Sequence, residues 1–304
     1  MVNAPTGFPF PATSAVSHVR AVRLHGVAAA RVILVSDSHL SESAPQARAN
    51  WDAVVAYVGA GRPDLVIHLG DLSLDGTRDA SDLRYARAQL DRLPVPWRAV
   101  PGNHDLGDNP SPGVPVGYTT DDARRQRWLD VIGPDYWSAA VGGWTVVALN
   151  AQLLGSGLEA EAAQWSWLEE QIGGLRGGPP VALVTHKPVT TAEPELAAAP
   201  PHRFWPPAAR DRLARLVGGI PPALVLSGHV HQYRLLRLAG TDHLWVPTTW
   251  AVLPGHVQPV FGAKRCGIVS LTLGAAPPAR HELIEPDGLE QLTLTVDLPD
   301  PYHG

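Results

Sequence analysis

The sequence predicts an α/β fold in which helix-covered strands give way to a strand-rich C-terminal part. Short apolar, β-branched runs alternate with stretches of helical spacing up to about residue 231, and beyond it only short strand-like runs appear. The 30 prolines and 29 glycines fall between hydrophobic runs, which marks turns and shaped loops rather than disorder.

Taken in order, residues 1–18 are Pro-rich and aperiodic and read as an arm. RVILVS (31–36) is an apolar strand, and Trp51, Val54, Val55 and Val58 recur at helical spacing within 45–59. DLVIHL (64–69) is a second strand, 79–92 a helix and 97–100 a third strand, an alternation that makes a parallel sheet covered by helices. Residues 106–120 form a Gly/Pro-rich loop, followed by a helix over 121–131. Gly142 and Gly143 separate strands at 137–141 and 144–150 as a hairpin turn. A helix over 159–173, the strand VALVTH (181–186), a Pro-rich stretch (187–207), a helix over 207–217 and the strand ALVLSG (223–228) follow. Strands at 233–239, 243–247, 266–273 and 290–296 complete the chain. The tail after about residue 240 either completes a second sheet or forms a dimer contact. With no internal repeat and no linker, residues 19–304 read as one domain with two sheets.

Bulk properties exclude several classes. A chain of 304 residues that is 45% hydrophobic builds a large core. A net charge of -5 with no long basic block lacks the footprint of a general nucleic-acid binder, so no stable nucleic-acid partner is expected. No apolar run is long enough to span a bilayer. Cys266 is the single cysteine, which rules out an intrachain disulfide and a Cys-based zinc site. The first thirty residues lack a secretory pattern, so the expected location is cytoplasmic.

The chemistry sits where strands end. RVILVS runs into Asp37 and His39, DLVIHL into Gly70-Asp71, WRAVP into Gly102-Asn103-His104-Asp105, VALVT into His186 and ALVLSG into His229 and His231. The carboxyl ends of parallel strands share one edge, where ligands bind, so these residues are expected to converge along one edge of one sheet. Imidazole and carboxylate donors suit zinc, manganese, iron or cobalt. Asp37, His39, Asp71, Asn103, His186, His229 and His231 are seven donors, too many for one tetrahedral ion and suited to two ions sharing a carboxylate, a pair that clamps a phosphoryl group and makes hydroxide from bound water near neutral pH. Glycines 70, 102 and 228 precede donors where the backbone must turn sharply.

The blocks D-x-H, G-D, G-N-H-D, H and G-H-x-H, in that order from Asp37 to His231, resemble the calcineurin-like metallophosphoesterases over roughly two-thirds of the chain. The resemblance implies a four-layer α/β/β/α sandwich of two mixed β-sheets flanked by helices. It implies a phosphoesterase with Mn, Fe or Zn, in which Asp37, His39 and His231 bind the first ion, Asp71 bridges, and Asn103, His186 and His229 complete the second. Asn103 and His104 would face the substrate. His104, outside the ligand set, would stabilise the transition state or protonate the leaving oxygen beside the scissile phosphate.

Ser/Thr protein phosphatases place an arginine where this chain has Gly76, and Glu where it has Asp105. SDSHL, GDLSLDG and PGNHD look most like the bacterial phosphodiesterases grouped with the class III cyclic-nucleotide enzymes. The expected substrate is therefore a small phosphodiester; the alternatives are a phosphomonoesterase or nucleotidase, a nuclease, and a non-catalytic scaffold. Loops 106–120 and 187–207 would frame the pocket, with His202, Arg203, Phe204 and Trp205 offering stacking or cationic contacts. Other residues have plainer readings: His68 as a packed strand residue, His256 as a surface residue, Lys187 as a phosphate contact, a solvated group or a group bracing the ligands from behind, Cys266 as buried and inert, and Asp105 as either a partner of His104 or a loop cap.

Overall fold

The computed structural model describes residues 29–115, 117–174, 177–189, 201–218 and 221–294. The expected N-terminal arm and the middle of the 187–207 stretch lie outside the described residues.

The first sheet contains β1 (Ala30–Val35), β2 (Leu65–His68) and β3 (Trp97–Ala99), parallel to one another. Along its other side run β11 (Ile268–Leu273) and β12 (Arg280–Ile284), both antiparallel to their neighbours, giving the order β12-β11-β1-β2-β3. The second sheet contains β4 (Trp137–Val141), β5 (Trp144–Leu149), β6 (Val181–Thr185), β7 (Leu224–Ser227), β8 (Arg234–Leu238) and β9 (Thr241–Trp245), in the order β4-β5-β6-β7-β9-β8. Its central strands β5, β6, β7 and β9 are parallel, while β4 and β8 pair antiparallel at the edges. A short parallel pair, β10 (Ala251–Val252) with β13 (Leu292–Thr293), stands apart.

Side-chain alternation along the strands builds the layers. Val32 and Leu34 face the second sheet and pack with Val146, Ala148, Ala182, Val184, Leu224 and Leu226. Ile33 and Val35 face outward and meet Trp51, Val54 and Val58 of α1 (Pro45–Gly61) and Leu83, Ala86 and Leu90 of α2 (Ser81–Leu90). On the far side, Val147, Leu149, Leu183 and Val225 meet Trp165 and Leu168 of α5 (Glu159–Gly173) and Ala209 and Leu213 of α6 (Pro207–Val217). Two mixed sheets flanked by helices on both outer faces are the four-layer sandwich expected. Burial on both faces is why β1, β6 and β7 read as unbroken apolar runs.

Two expectations change. The strands carrying the chemistry do not share one sheet: β1, β2 and β3 belong to the first, and β6 and β7 to the second. Apolar runs look alike in either sheet, so the sequence could not divide them. The tail completes the first sheet as well as the second, because β11 returns to lie beside β1. Three elements carry little signal in the sequence: β12, with charged and half-buried residues; the two-residue β10; and the one-turn helix α3 (Asn103–Leu106). The strand expected over 290–296 is limited to Leu292–Thr293 among the described residues.

Candidate metal centre

The carboxyl ends of β1, β2 and β3 meet those of β6 and β7 across the inter-sheet core. Backbone bonds lock the first group together: Asp37 N–H donates to Gly70 O (3.0 Å) and His39 N–H to Asp71 O (3.0 Å). Polar bonds then cross the seam. His229 N–H donates to Asp37 Oδ2 at 3.0 Å, and Thr248 Oγ1 donates to Asp37 O at 2.8 Å. Two glycines permit this close approach. A Cβ on Gly102 would strike the Asp71 carboxylate, and one on Gly228 would strike Ser36 and Asp37.

Five of the expected donors adopt left-handed backbone: Asp37 (φ 52°), His39 (44°), Asp71 (53°), His229 (67°) and His231 (50°). This conformation is unfavourable for residues with a Cβ and marks functional sites when it clusters. Each donor sits one or a few residues beyond a strand, where the chain must turn at once to aim its side chain inward.

The side chains form two groups, Asp37-His39-His231 and Asp71-His186-His229, each with donor atoms within 4.8 Å of one another. In the first, His231 Nε2 lies 3.3 Å from Asp37 Oδ1 and 3.3 Å from His39 Nε2. In the second, His186 Nε2 lies 3.3 Å from Asp71 Oδ2, 3.3 Å from Asn103 Oδ1 and 3.2 Å from His229 Nδ1. Asp71 Oδ2 also lies 3.9 Å from His39 Nε2, so one carboxylate oxygen stands between the groups.

These contacts fit metal ions. The Nδ1 of His186 bonds Leu69 O (2.7 Å) and that of His231 bonds Ala251 O (2.6 Å). A carbonyl accepts only, so both Nδ1 atoms carry hydrogen, and in the neutral form that binds metal each ring aims its Nε2 lone pair at neighbouring donors and carboxylate oxygens. Such pairs repel unless a cation shares them. Ligands about 2.0–2.1 Å from one ion lie roughly 2.8–3.4 Å apart at octahedral or tetrahedral angles. Asp37 Oδ1, His39 Nδ1 and His229 Nε2 are also buried without a hydrogen bond.

The electrostatics follow the same geometry. Burial alone would raise the carboxyls of Asp37 and Asp71. The charge and hydrogen bond of His231 with the charge of His186 together outweigh it at Asp37, and those of His186 with the charges of His104 and His39 at Asp71, holding both below the usual carboxylate range. Against burial, Asp71 pushes His186 up to about 9. Burial pulls His39 and His229 well down, helped by His104 for the first and by His186 and Lys187 for the second.

His104 lies on α3. Its N–H donates to Asp71 Oδ1 (2.8 Å), its Nδ1 bonds Leu74 O (2.8 Å), and its ring meets that of His39 edge-on at 4.5 Å. With His39 and Asp71 it makes a third group capable of holding an ion, so distance alone does not separate it from the ligands. Asp105 does not orient His104: it accepts from the backbone of Leu72, Ser73 and Gly102 and from Ser73 Oγ, clamping two loops together. His68 is a packed strand residue, and its Nε2–H donates to Ser38 Oγ (2.8 Å), which donates to Leu72 O (3.2 Å).

Several expectations need correction. Phe204 and Trp205 are 2% and 1% exposed; Trp205 packs edge-on against Trp165 and donates to Thr185 Oγ1, so both serve the core rather than a stacking platform. Lys187 is fully buried rather than solvated, with Asp108 and Asn109 as acceptors. His202 is half-buried against Gly113 of the 106–120 loop, whereas His256 is exposed. Cys266 is buried as expected. Sequence reasoning missed Trp250, whose ring lies 5.0 Å from that of His39, and the Asp108–Asn109 pair. They carry no strand-end signal of their own.

The family description "calcineurin-like phosphoesterase" matches residues 30–233, which span every donor above. The chain belongs to this family. It is therefore a metal-dependent hydrolase of phosphoesters, of a family that works with a dinuclear metal centre. A probable glycerophosphodiester phosphodiesterase of Arcobacter nitrofigilis is 26% identical over 213 residues, covering 66% of this chain and 71% of the relative. Among solved structures, a dimetal phosphatase from Danio rerio superposes with a TM-score of 0.57 at 17% identity, over 80% of this chain and 92% of that one. The protein GAP50, the anchor in the inner membrane complex of Plasmodium, gives 0.58 at 13% identity, over 86% of each chain. These two likenesses show the fold. No helix among the described residues is long and apolar enough to cross a membrane.

Proposed function

We propose that this phosphoesterase hydrolyses small phosphodiesters at two transition-metal ions, manganese, iron or zinc. Asp37, His39 and His231 would hold the first ion, Asn103, His186 and His229 the second, and Asp71 would serve both. When bound, such ions supply positive charge to the phosphoryl oxygens and acidity to water. The chain's own residues do the rest. The carbonyl bonds on His186 and His231 fix their tautomers, so each presents Nε2. Leu74 O holds Nδ1–H of His104, making Nε2 the ring atom that exchanges a proton with the departing oxygen. Trp250, 4% exposed, covers the His39 side against water.

The diester reading rests on Gly76. Its N–H donates to His104 O (2.8 Å), and a Cβ there would lie 2.7 Å from Asp105 O and 2.8 Å from Leu83 Cγ. The backbone is closed around this position, so no side chain, least of all arginine, grips a phosphate from it. A site without that cation favours an ester with one negative charge over one with nearly two. The Arcobacter nitrofigilis relative, named for diester hydrolysis, supports the same reading.

Rates on a bis-aryl phosphate, an aryl monophosphate and cyclic nucleotides, compared with Mn²⁺, test it. The expected order places a diester first by kcat/KM. A preference for the monophosphate overturns the diester reading and leaves the metal centre standing.

A further inference from the structure

Three side chains outside the proposed ligand set are buried together beside it. Lys187 and Asp108 are fully buried and Asn109 is 1% exposed. Lys187 Nζ donates to Asp108 Oδ1 and, at 2.5 Å, to Asn109 Oδ1. The partners come from different sheets' connections. Asp108 and Asn109 follow α3, which extends β3 of the first sheet, and Lys187 follows His186 at the end of β6 in the second.

Each end of this link is tied to a donor. On one side, Gly107 N–H donates to Asn103 O (2.9 Å), so the residue before Asp108 is bonded to the residue that carries the amide donor. Asp108 is fixed in turn: its N–H donates to Tyr118 O (2.8 Å) and its carbonyl accepts from Thr120 N–H (2.7 Å). Asn109 N–H donates to Asp108 Oδ1 at 2.8 Å. On the other side, Lys187 is the immediate neighbour of His186. Between these ends, Asn103 Oδ1 and His186 Nε2 stand 3.3 Å apart.

A buried ion pair is a poor means of adding stability, because apolar residues of similar volume often serve as well or better; what it can add is a specified position. Here the pair spans the seam between the two sheets. Metal ligands, unlike core packing, tolerate misplacement of only about 0.5 Å.

We propose that Lys187, through its buried bonds to Asp108 and Asn109, is a positioning residue that sets α3 against the end of β6 and so holds Asn103 and His186 in register for the second metal ion. This rests on the assignment of Asn103 and His186 to that ion.

The test compares wild type with Lys187→Met and with Lys187→Met/Asp108→Leu, reading melting temperature and stepwise Mn²⁺ titration of the metal-free chain. The single variant leaves Asp108 buried and unpaired and should melt lower. The double variant removes both charges and should recover most of that loss. Its second Mn²⁺ step should nevertheless weaken at least about tenfold, with the first step little changed, as when an outer partner of a ligand is lost. A double variant that recovers both melting temperature and second-step affinity overturns the proposal, because the pair is then structural only. If the double variant does not fold, Asn109→Ala decides. It keeps the ion pair, and a threefold or larger loss in the second step alone supports the proposal, whereas an unchanged second step overturns it. Failure of the underlying assignment appears differently, as a wild-type chain that takes up only one Mn²⁺.

Discussion

At the scale of single residues, aim matters more than identity. Asp37, His39, Asp71, His229 and His231 all take left-handed backbone, an arrangement a purely structural turn would give to glycine or asparagine. Gly102 and Gly228 supply the space that these turns require. His104 is the residue whose role distance leaves divided between ligand and proton donor, since it groups with His39 and Asp71. Its tautomer, set by Leu74 O, fits proton transfer at Nε2. His104→Ala should lower kcat by about 10²- to 10⁴-fold while the protein still holds two metal ions per chain by elemental analysis. Loss of one ion in this variant would make His104 a ligand instead.

At the scale of elements, each strand end delivers its donors, and neighbouring elements only brace them. The brace on the second sheet includes β9, where His243 lies against β7 and β8. Burial takes its imidazole down to about 4 from 6.5 against the opposing pull of Asp242. Between those values the unfolded chain binds a proton that the folded chain refuses. Stability contributed by neutral His243 is therefore present above pH 6.5 and is lost as pH falls toward 4. From pH 7 to pH 5 the loss from this group should be about 2 kcal/mol. Urea unfolding at the two pH values should show a slope shallower by that amount in His243→Gln. Equal slopes would mean that His243 titrates normally in the folded protein.

At the scale of the whole molecule, the centre lies where two sheets abut, so ions bound there tie the halves of the sandwich together. Facing lone pairs and two buried carboxylates are compensated by the same ions. An ion at a concentration about 1,000 times its Kd adds about 4 kcal/mol to folding stability if it binds only the native state. Removal of metal by a chelator should therefore lower the melting temperature by roughly 6 °C for a chain of this size, and Mn²⁺ should restore it. A melting temperature indifferent to chelation would place the ions, if bound at all, at the surface rather than in the seam.

The sequence by itself determined which strands end in residues of metal-donor type. Asp37 and His39 follow an apolar run because a strand buried on both faces must be apolar, and a polar residue at its end must be turned outward or used. Order and spacing also reached the family. What they could not reach was the division of those strands between two sheets, because β1 and β6 bury equally apolar faces and differ only in their neighbours. Asp108, Asn109 and Trp250 escaped for the same reason: they belong to loops whose partners lie far away in sequence, as Lys187 does at 79 residues from Asp108. Local pattern records what a segment must bury; only the tertiary structure decides what it is buried against.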